Sequence, residues 1–307
     1  MRVLVTGASG FLGRNLLLAK PQSWEVVAAY RRPDFPDFLV REHVEGVTPV
    51  RCDLRDQDQA CNLARRNSRW DLVVYLAGLV DIPGSVAQPM MDLTANLLAL
   101  VHLLEAVRCE HLIYVSSGAV YTGLAGVVSP QSPLRPDLPY AINKLAAEHY
   151  VRCYTMRRSH IGYHTILRFM GAYGPHEPTH KIYSRMLRSF VLGVEPTFTV
   201  YGDGSNLIDA MYVDDAVRGL LAAGGRGCAS VTLDWGLGQP TSISELVLRT
   251  ASVFRRRVEL RFEGVAHERI EFRIDPSPLF DLIGFRPTVP YEEGIGSLAD
   301  WLRKATA

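Results

Sequence analysis

Tyr140 and Lys144 stand four residues apart in the run Tyr140-Ala141-Ile142-Asn143-Lys144, inside a segment whose pattern predicts a helix over 140–157. On a helix, residues i and i+4 share a face, and an ammonium beside a phenol favours the phenolate, bringing its pKa toward a working range. Such a tyrosine can exchange a proton with a hydroxyl or carbonyl while a nicotinamide exchanges hydride with the adjacent carbon. A second chemical cluster lies at the start of the chain, where Gly7, Gly10 and Gly13 are spaced GxxGxxG, with Phe11 and Leu12 opening the helix that follows. Glycine permits positive φ and close approach of a pyrophosphate, and a helix N-terminus supplies free N–H groups and partial positive charge.

The second strand runs into Tyr30-Arg31-Arg32. An NAD site places an acid there for the ribose 2′-OH, whereas an NADP site offers an arginine to the 2′-phosphate. Arg31, with Arg32 second, therefore predicts NADP, with NAD the other possibility. Cys52-Asp53-Leu54 closes the next strand, where Asp53 either accepts a hydrogen bond from the adenine amine or caps a helix over 56–66.

These residues need a scaffold, and the pattern supplies one. Short apolar runs alternate with helical stretches: Val3-Leu4-Val5 then 11–20, Val26-Val27-Ala28-Ala29 then a loop, Leu72-Val73-Val74-Tyr75 then 91–107, and Ile113-Tyr114-Val115 then 140–157. Strands apolar on both sides, each followed by a helix, indicate a parallel sheet covered on both faces. Beyond Arg168 the chain is punctuated by Gly174-Pro175, Glu177-Pro178 and Glu195-Pro196, before a strand-helix signal at 210–223, a helix over 243–254, a strand over 257–262 and a last helix over 293–304. The expected fold is α/β: a Rossmann-type doubly wound parallel sheet with a smaller C-terminal α/β substrate lobe. The dinucleotide-binding domain is expected to take residues 1–168 plus about 209–235, and the substrate lobe about 169–208 plus 236–307, with a small molecule in the cleft between.

Composition excludes other classes. A net charge of +1, from 33 Lys+Arg against 32 Asp+Glu, argues against nucleic acid or anionic membrane as the main partner, since binding phosphate backbones needs many gathered cations. Five widely spaced cysteines (Cys52, Cys61, Cys109, Cys153, Cys228) without a CxxC pair suit reduced thiols in a cytoplasmic protein. The histidines lack the spacing of a zinc site, so no metal is expected, and no run of eighteen apolar residues or leader pattern points to a membrane or to secretion.

The motifs Gly7-Ala8-Ser9-Gly10-Phe11-Leu12-Gly13, Cys52-Asp53-Leu54, Leu76-Ala77-Gly78, Ser116-Ser117, Tyr140-Ala141-Ile142-Asn143-Lys144, Arg168 to Pro175, Tyr212-Val213-Asp214-Asp215 and Ile283-Gly284-Phe285-Arg286-Pro287 follow one another as in the extended short-chain dehydrogenase/reductases. The chain most resembles the nucleotide-sugar epimerase/dehydratase branch, over nearly its whole length. The resemblance implies Tyr140 as acid/base, Lys144 as the residue that tunes it and holds the nicotinamide ribose, and Ser117 as the group orienting the carbonyl. It also implies Leu76, Ala77 and Gly78 along the cofactor, Asn96 steadying the lysine, and a homodimer through helices 91–107 and 140–157. In 4,6-dehydratases of this type an Asp-Glu pair follows the serine or threonine, whereas here Gly118-Ala119 does. Elimination of water needs both an acid and a base, so the expected reaction is reversible hydride transfer at one carbon of a nucleotide-sugar, as a 4-epimerase or 4-ketoreductase.

Two departures concern the substrate. Gly171 stands where the family's RxxNxYGP segment has asparagine, and Ile208 where its GxGxxxRD segment has the arginine that meets the diphosphate. Losing that arginine removes a charge-assisted anchor. Lys181, Arg185 and Arg188, or Arg269 and Arg273, are candidate replacements. His176 and His180 follow the Tyr-Gly-Pro turn, where one of them is expected to touch substrate. The substrate-contact expectation is therefore Ser117, Gly171, His176 and Arg185. The alternative is an NADP-dependent carbonyl reductase or dehydrogenase for a non-nucleotide substrate. A non-catalytic nucleotide sensor is the third class, and Ser117, Tyr140 and Lys144 speak against it.

Overall fold

The computed structural model describes residues 1–158, 160–193, 195–225, 230–266 and 269–306. Cys228 lies outside them. Among the described residues, β1 (Arg2–Thr6), β2 (Glu25–Tyr30), β3 (Val47–Arg51), β4 (Trp70–Tyr75), β5 (Cys109–Ser117), β7 (Ile161–Phe169) and β12 (Val231–Trp235) form one parallel sheet in the order β12-β7-β5-β4-β1-β2-β3. The order reverses between β1 and β4, and in such sheets ligands bind beyond the strand ends at that switch point.

The strands bury both faces, and alternate residues serve different cores. Val3, Val5, Leu72, Val74 and Ile113 pack with Leu16 and Leu17 of α1 (Phe11–Ala19) and with Val217 and Leu220 of α9 (Val213–Gly225). Leu4, Val73, Leu112 and Tyr114 pack on the opposite face with Leu63 of α3 (Gln57–Ala64), Leu100 and Leu103 of α6 (Ala99–Ala106) and Val151 of α7 (Pro139–Arg157). This period-two division is what strands buried on both faces require.

Two elements differ from the sequence expectation. The stretch after β2 is not only loop: α2 (Phe35–Arg41) forms there, because Phe35, Phe38 and Leu39 recur at helical spacing and are all buried. The helix expected over 91–107 is divided into α5 (Pro89–Leu93), a π-helical turn (Thr94–Leu98) and α6, preceded by α4 (Ile82–Ala87). The widened turn carries Asn96, which is buried with both ends of its amide bonded to neighbours.

The remainder is built from two-stranded pairs: β6 (Ala125–Val128) with β15 (Glu271–Ile274), β8 (Ala172–Tyr173) with β11 (Met211–Tyr212), β9 (Thr197–Tyr201) with β14 (Glu259–Glu263) and β10 (Leu207–Ile208) with β13 (Thr241–Ser242). They are covered by α8 (Ile182–Met186), α10 (Ile243–Val253), α11 (Ser277–Ile283) and α12 (Tyr291–Thr306). The core of the α1 face runs without interruption into these elements through Tyr173, Met186, Phe190, Leu246 and Leu298. Among the described residues, no helix is long and apolar enough to cross a membrane.

Candidate active site

The β1–α1 turn is shaped by what its glycines exclude. Gly7 has φ +67°, and a Cβ there would lie 2.7 Å from the amide nitrogen of Ala77 and from the carbonyl carbon of Leu76. The chain leaving β4 thus passes directly against the turn, and Ala77 donates its N–H to Thr6 Oγ1. A Cβ on Gly13 would lie 2.5 Å from Gly7 O, so α1 also rests on the turn without side-chain spacing. Around Gly10 a Cβ would meet only Gly7 O, at 3.1 Å. Gly10 is also the N-cap of α1 and supplies no capping side chain. The N–H groups of Phe11 and Leu12 therefore open a helix end with its approach clear, which fits a phosphate. The cradle fits the pyrophosphate of a dinucleotide.

At the far edge Arg31 is 60 % exposed at its side chain, with Nη1 3.9 Å from Asp53 Oδ2. Asp53 is bound more tightly by Arg55, whose Nη2 donates at 2.5 Å and whose Nε donates at 2.9 Å, and these bonds hold its carboxyl below the usual range. The cap of α3 is Asp56, which accepts from Gln59 N–H at 3.0 Å; that alternative for Asp53 falls away. Arg32 is exposed. Leu54 is buried, and its carbonyl meets the His102 ring at 3.0 Å.

Tyr140 and Lys144 lie in the first turns of α7, which begins on Pro139, a residue suited to a helix start. Both are nearly fully buried. Lys144 Nζ sits 5.9 Å from the Tyr140 ring centroid and 5.2 Å from that of Tyr114, and donates to Val115 O at 3.1 Å. Burial pushes the Lys144 ammonium down to about 8, opposed by the charges of Asp92 and Glu148. Ser117 ends β5, its Oγ accepting from Ala119 N–H at 3.2 Å, and Ala119 packs with Tyr140 and Ala141. Serine, tyrosine and lysine thus converge at the end of β5.

The loop after β4 closes this group. A Cβ on Gly78 would fall 2.7 Å from Asn96 Oδ1 and 3.7 Å from Lys144 Nζ. Asn96 accepts from Leu79 N–H and donates to Leu79 O, each at 3.0 Å, so it fixes the loop that passes beside the lysine.

Sequence reasoning missed a charged layer beneath. Glu148, one turn beyond Lys144 on the same face, is fully buried and receives Arg168 Nε at 2.9 Å, Arg168 Nη2 at 2.8 Å and Ser116 Oγ at 2.7 Å. Desolvation raises its pKa, yet the hydrogen bonds and charge of Arg168 outweigh this and leave it below the usual range. Arg168 also donates to Tyr121 Oη, which donates to Asp234. The spacing of 140, 144 and 148 was the available signal.

The substrate candidates fall into separate places. Gly118 packs against the end of the Met170 side chain, and a Cβ there would lie 2.5 Å from Met170 Sδ. Gly171 has φ +151° and faces Ala210. Ile208 is half-buried in β10, while Asp209 beside it accepts from the N–H groups of Leu237 and Gly238. Arg185 lies over Phe198, 5.0 Å from its centroid, and donates to Thr199 O. His176 is packed edge-on to Phe38 and Trp301, and burial lowers its pKa to about 4. His180, Arg269 and Arg273 are exposed, and Lys181 is half-buried.

The profile of the NAD-dependent epimerase/dehydratase family matches residues 3–229. The chain is similar to a UDP-glucose 4-epimerase of Mycolicibacterium smegmatis, 29 % identical over 99 % of both chains. It is also similar to a dTDP-glucose 4,6-dehydratase of an Actinoplanes species, 26 % identical over 99 % of this chain and 98 % of the other. Among solved structures it resembles MoeE5 in complex with UDP-glucuronic acid and NAD, with 30 % identity, a TM-score of 0.85 and coverage of 99 % of this chain and 100 % of that one.

Proposed function

Because the chain belongs to the NAD-dependent epimerase/dehydratase family, a family of extended short-chain dehydrogenase/reductase enzymes, we propose that it interconverts a hydroxyl and a ketone on a nucleotide-sugar, as a 4-epimerase or 4-ketoreductase. The observation that carries this reading is the Ser117–Tyr140–Lys144 group set beside Gly118 and Ala119. A 4,6-dehydratase needs a further acid and base next to the serine. Here Gly118 has no side chain and packs against Met170, and position 119 offers only a methyl. Tyr140 can move a proton at one oxygen, and neither position 118 nor position 119 supplies the second acid and base that elimination needs.

Gly7, Gly10, Phe11, Leu12 and Gly13 would hold the pyrophosphate, Asp53 and Leu54 the adenine end, and Leu76, Ala77 and Gly78 the stretch beside the nicotinamide. When bound, the dinucleotide supplies hydride transfer at the carbon that bears the reacting oxygen. Tyr140 takes the proton of the substrate hydroxyl as the ketone forms and returns it on reduction. Ser117 hydrogen-bonds the same oxygen, and Lys144 favours the phenolate and holds the ribose. Asn96 acts by fixing the Leu79 loop. The family is NAD-dependent; Arg31, exposed just after β2 at a position that has no acid, supports NADP for this chain, with Arg32 beside it.

We read residues 1–168 with about 209–235 as the dinucleotide-binding unit and the remainder as the substrate lobe, with Gly171 and Arg185 on the substrate side. The geometry of His176 favours a packing role. Exposed Met90 on α5, Leu98 on the π turn, and Ile142 and Tyr150 on α7 support a homodimer. Unpaired Cys52, Cys61, Cys109 and Cys153 suit a reducing cytoplasm.

A second reading has one specific observation behind it. Ile208 replaces a diphosphate-binding arginine, which favours a carbonyl reductase for a non-nucleotide substrate. Thermal stabilisation of the dinucleotide-saturated protein by UDP, dTDP, GDP, CDP and ADP separates the two. A rise in Tm with one nucleotide supports the nucleotide-sugar reading and names the base. No rise with any of the five sinks it in favour of the second.

A further inference from the structure

Asp92, in the last turn of α5, is fully buried. Its Oδ1 accepts from Asn96 Nδ2 and its Oδ2 from Asn143 Nδ2, both at 2.7 Å. Both partners are neutral amides, so the charge is oriented without being cancelled. Asn143 precedes Lys144 in α7, and Asn96 Oδ1 approaches the same Gly78 Cβ position that lies 3.7 Å from Lys144 Nζ.

Groups on three elements, α7, β5 and α5, act on Lys144. Its own helix contributes Tyr140 and Glu148, β5 contributes the Tyr114 ring and Val115 O, and α5 contributes Asp92. Of the two carboxylates, Glu148 is already neutralised by a bidentate bond from Arg168 and a further bond from Arg152 at 2.9 Å. Among the described residues, Asp92 forms no ion pair, and its carboxylate is bonded by the two amides alone. A buried ammonium is costly unless an opposite charge acts on it.

We propose that Asp92 is a positioning residue for Lys144: an internal counter-charge, gripped by Asn96 and Asn143, that keeps the lysine an ammonium inside a buried site and ties the π turn to α7. The inference rests on the role given to Lys144 above, but its test needs neither substrate nor cofactor.

The chain has four lysines, Lys20, Lys144, Lys181 and Lys304. Lysine labelled with 13C at Cε gives resonances that can be titrated singly, with Lys144 assigned by its loss in Lys144→Arg. In the unaltered protein its midpoint is expected at about 8. Asp92→Asn is expected to lower that midpoint by about one unit or more, the effect of losing a nearby opposite charge. Asn143→Ala breaks one of the same hydrogen bonds but keeps the charge, so it is expected not to lower it. An unchanged midpoint in folded Asp92→Asn overturns the proposal. So does a fall in Asn143→Ala, which makes packing the cause; this arm decides the matter alone if Asp92→Asn does not fold. Full turnover by Tyr140→Phe would remove the catalytic reading and leave this titration as it stands.

Discussion

The three glycines of the β1–α1 turn are equivalent in the motif and unequal in the structure, and alanine at each should separate them. Alanine at Gly7 places a Cβ 2.7–2.8 Å from three backbone atoms of Leu76 and Ala77 at φ +67°. The left-handed conformation costs about 1–2 kcal/mol and overpacking against backbone about 1–3 more, so Gly7→Ala should lose about 2–5 kcal/mol. Alanine at Gly13 meets Gly7 O at 2.5 Å and Ala8 Cα at 2.7 Å with no φ penalty, and the same overpacking is offset by about 1 kcal/mol of helix propensity. Alanine at Gly10 meets only Gly7 O, at 3.1 Å, with φ −81°, so its fold cost should stay below about 1 kcal/mol. Its methyl instead stands at the open end of α1, where the phosphates would approach. Urea unfolding without dinucleotide should therefore rank the losses Gly7, Gly13, Gly10, while dinucleotide affinity should fall in Gly10→Ala despite its near-normal stability. A Gly7→Ala protein within about 0.5 kcal/mol of the original, the range of a neutral surface change, would refute the steric argument. A Gly10→Ala protein with unaltered affinity would refute the phosphate cradle.

Tyr140→Phe should lower kcat by about 10²–10⁴-fold while leaving dinucleotide affinity in place, checked by steady-state kinetics and fluorescence titration. Arg31→Ala should weaken NADP by about tenfold or more and leave NAD unchanged; equal effects on both would remove the basis for NADP. Glu177 is buried and its carboxyl is raised to about 7, so between pH 4.5 and 7 the folded chain holds a proton that the unfolded chain has released. The stability present below pH 4.5 is lost as pH rises through 7, about 3 kcal/mol in all, and Glu177→Gln should recover about 2–3 kcal/mol at pH 8 and little at pH 4 in urea titrations.

What could be read from the sequence followed from short-range rules. The parallel sheet was legible because β1, β4 and β5 are apolar on both faces, and the helix carrying Tyr140 and Lys144 because its spacing and its neighbours agree. The failures have long-range causes. Alternating charge and proline around 33–37 concealed α2, whose reason to exist is the burial of Phe35 and Phe38 beneath the sheet edge and beside Arg14, 4.6 Å from the Phe38 centroid. The π turn at 94–98 is set by the bonds of Asn96 to a loop seventeen residues away, which no local periodicity records. The packing of His176 against Phe38 and Trp301 was equally hidden, because both partners are distant in the chain.

One face of α7 joins the chemistry to the stability of the molecule. Tyr140, Lys144 and Glu148 follow at intervals of four and meet different neighbours: Ala119 beside Ser117, Val115 O in β5, and Arg168 in β7. Breaking a buried pair such as Glu148–Arg168 costs about 3–5 kcal/mol, so the helix cannot rotate or slide without losing it. Ser116, bonded to Glu148, immediately precedes Ser117 and fixes the end of β5 to the same helix. The ion pair thus sets the register between the serine and the tyrosine. Its energy is contained in the fold before any ligand binds, leaving the Tyr140 hydroxyl and Ser117 Oγ to be placed by backbone that is already rigid.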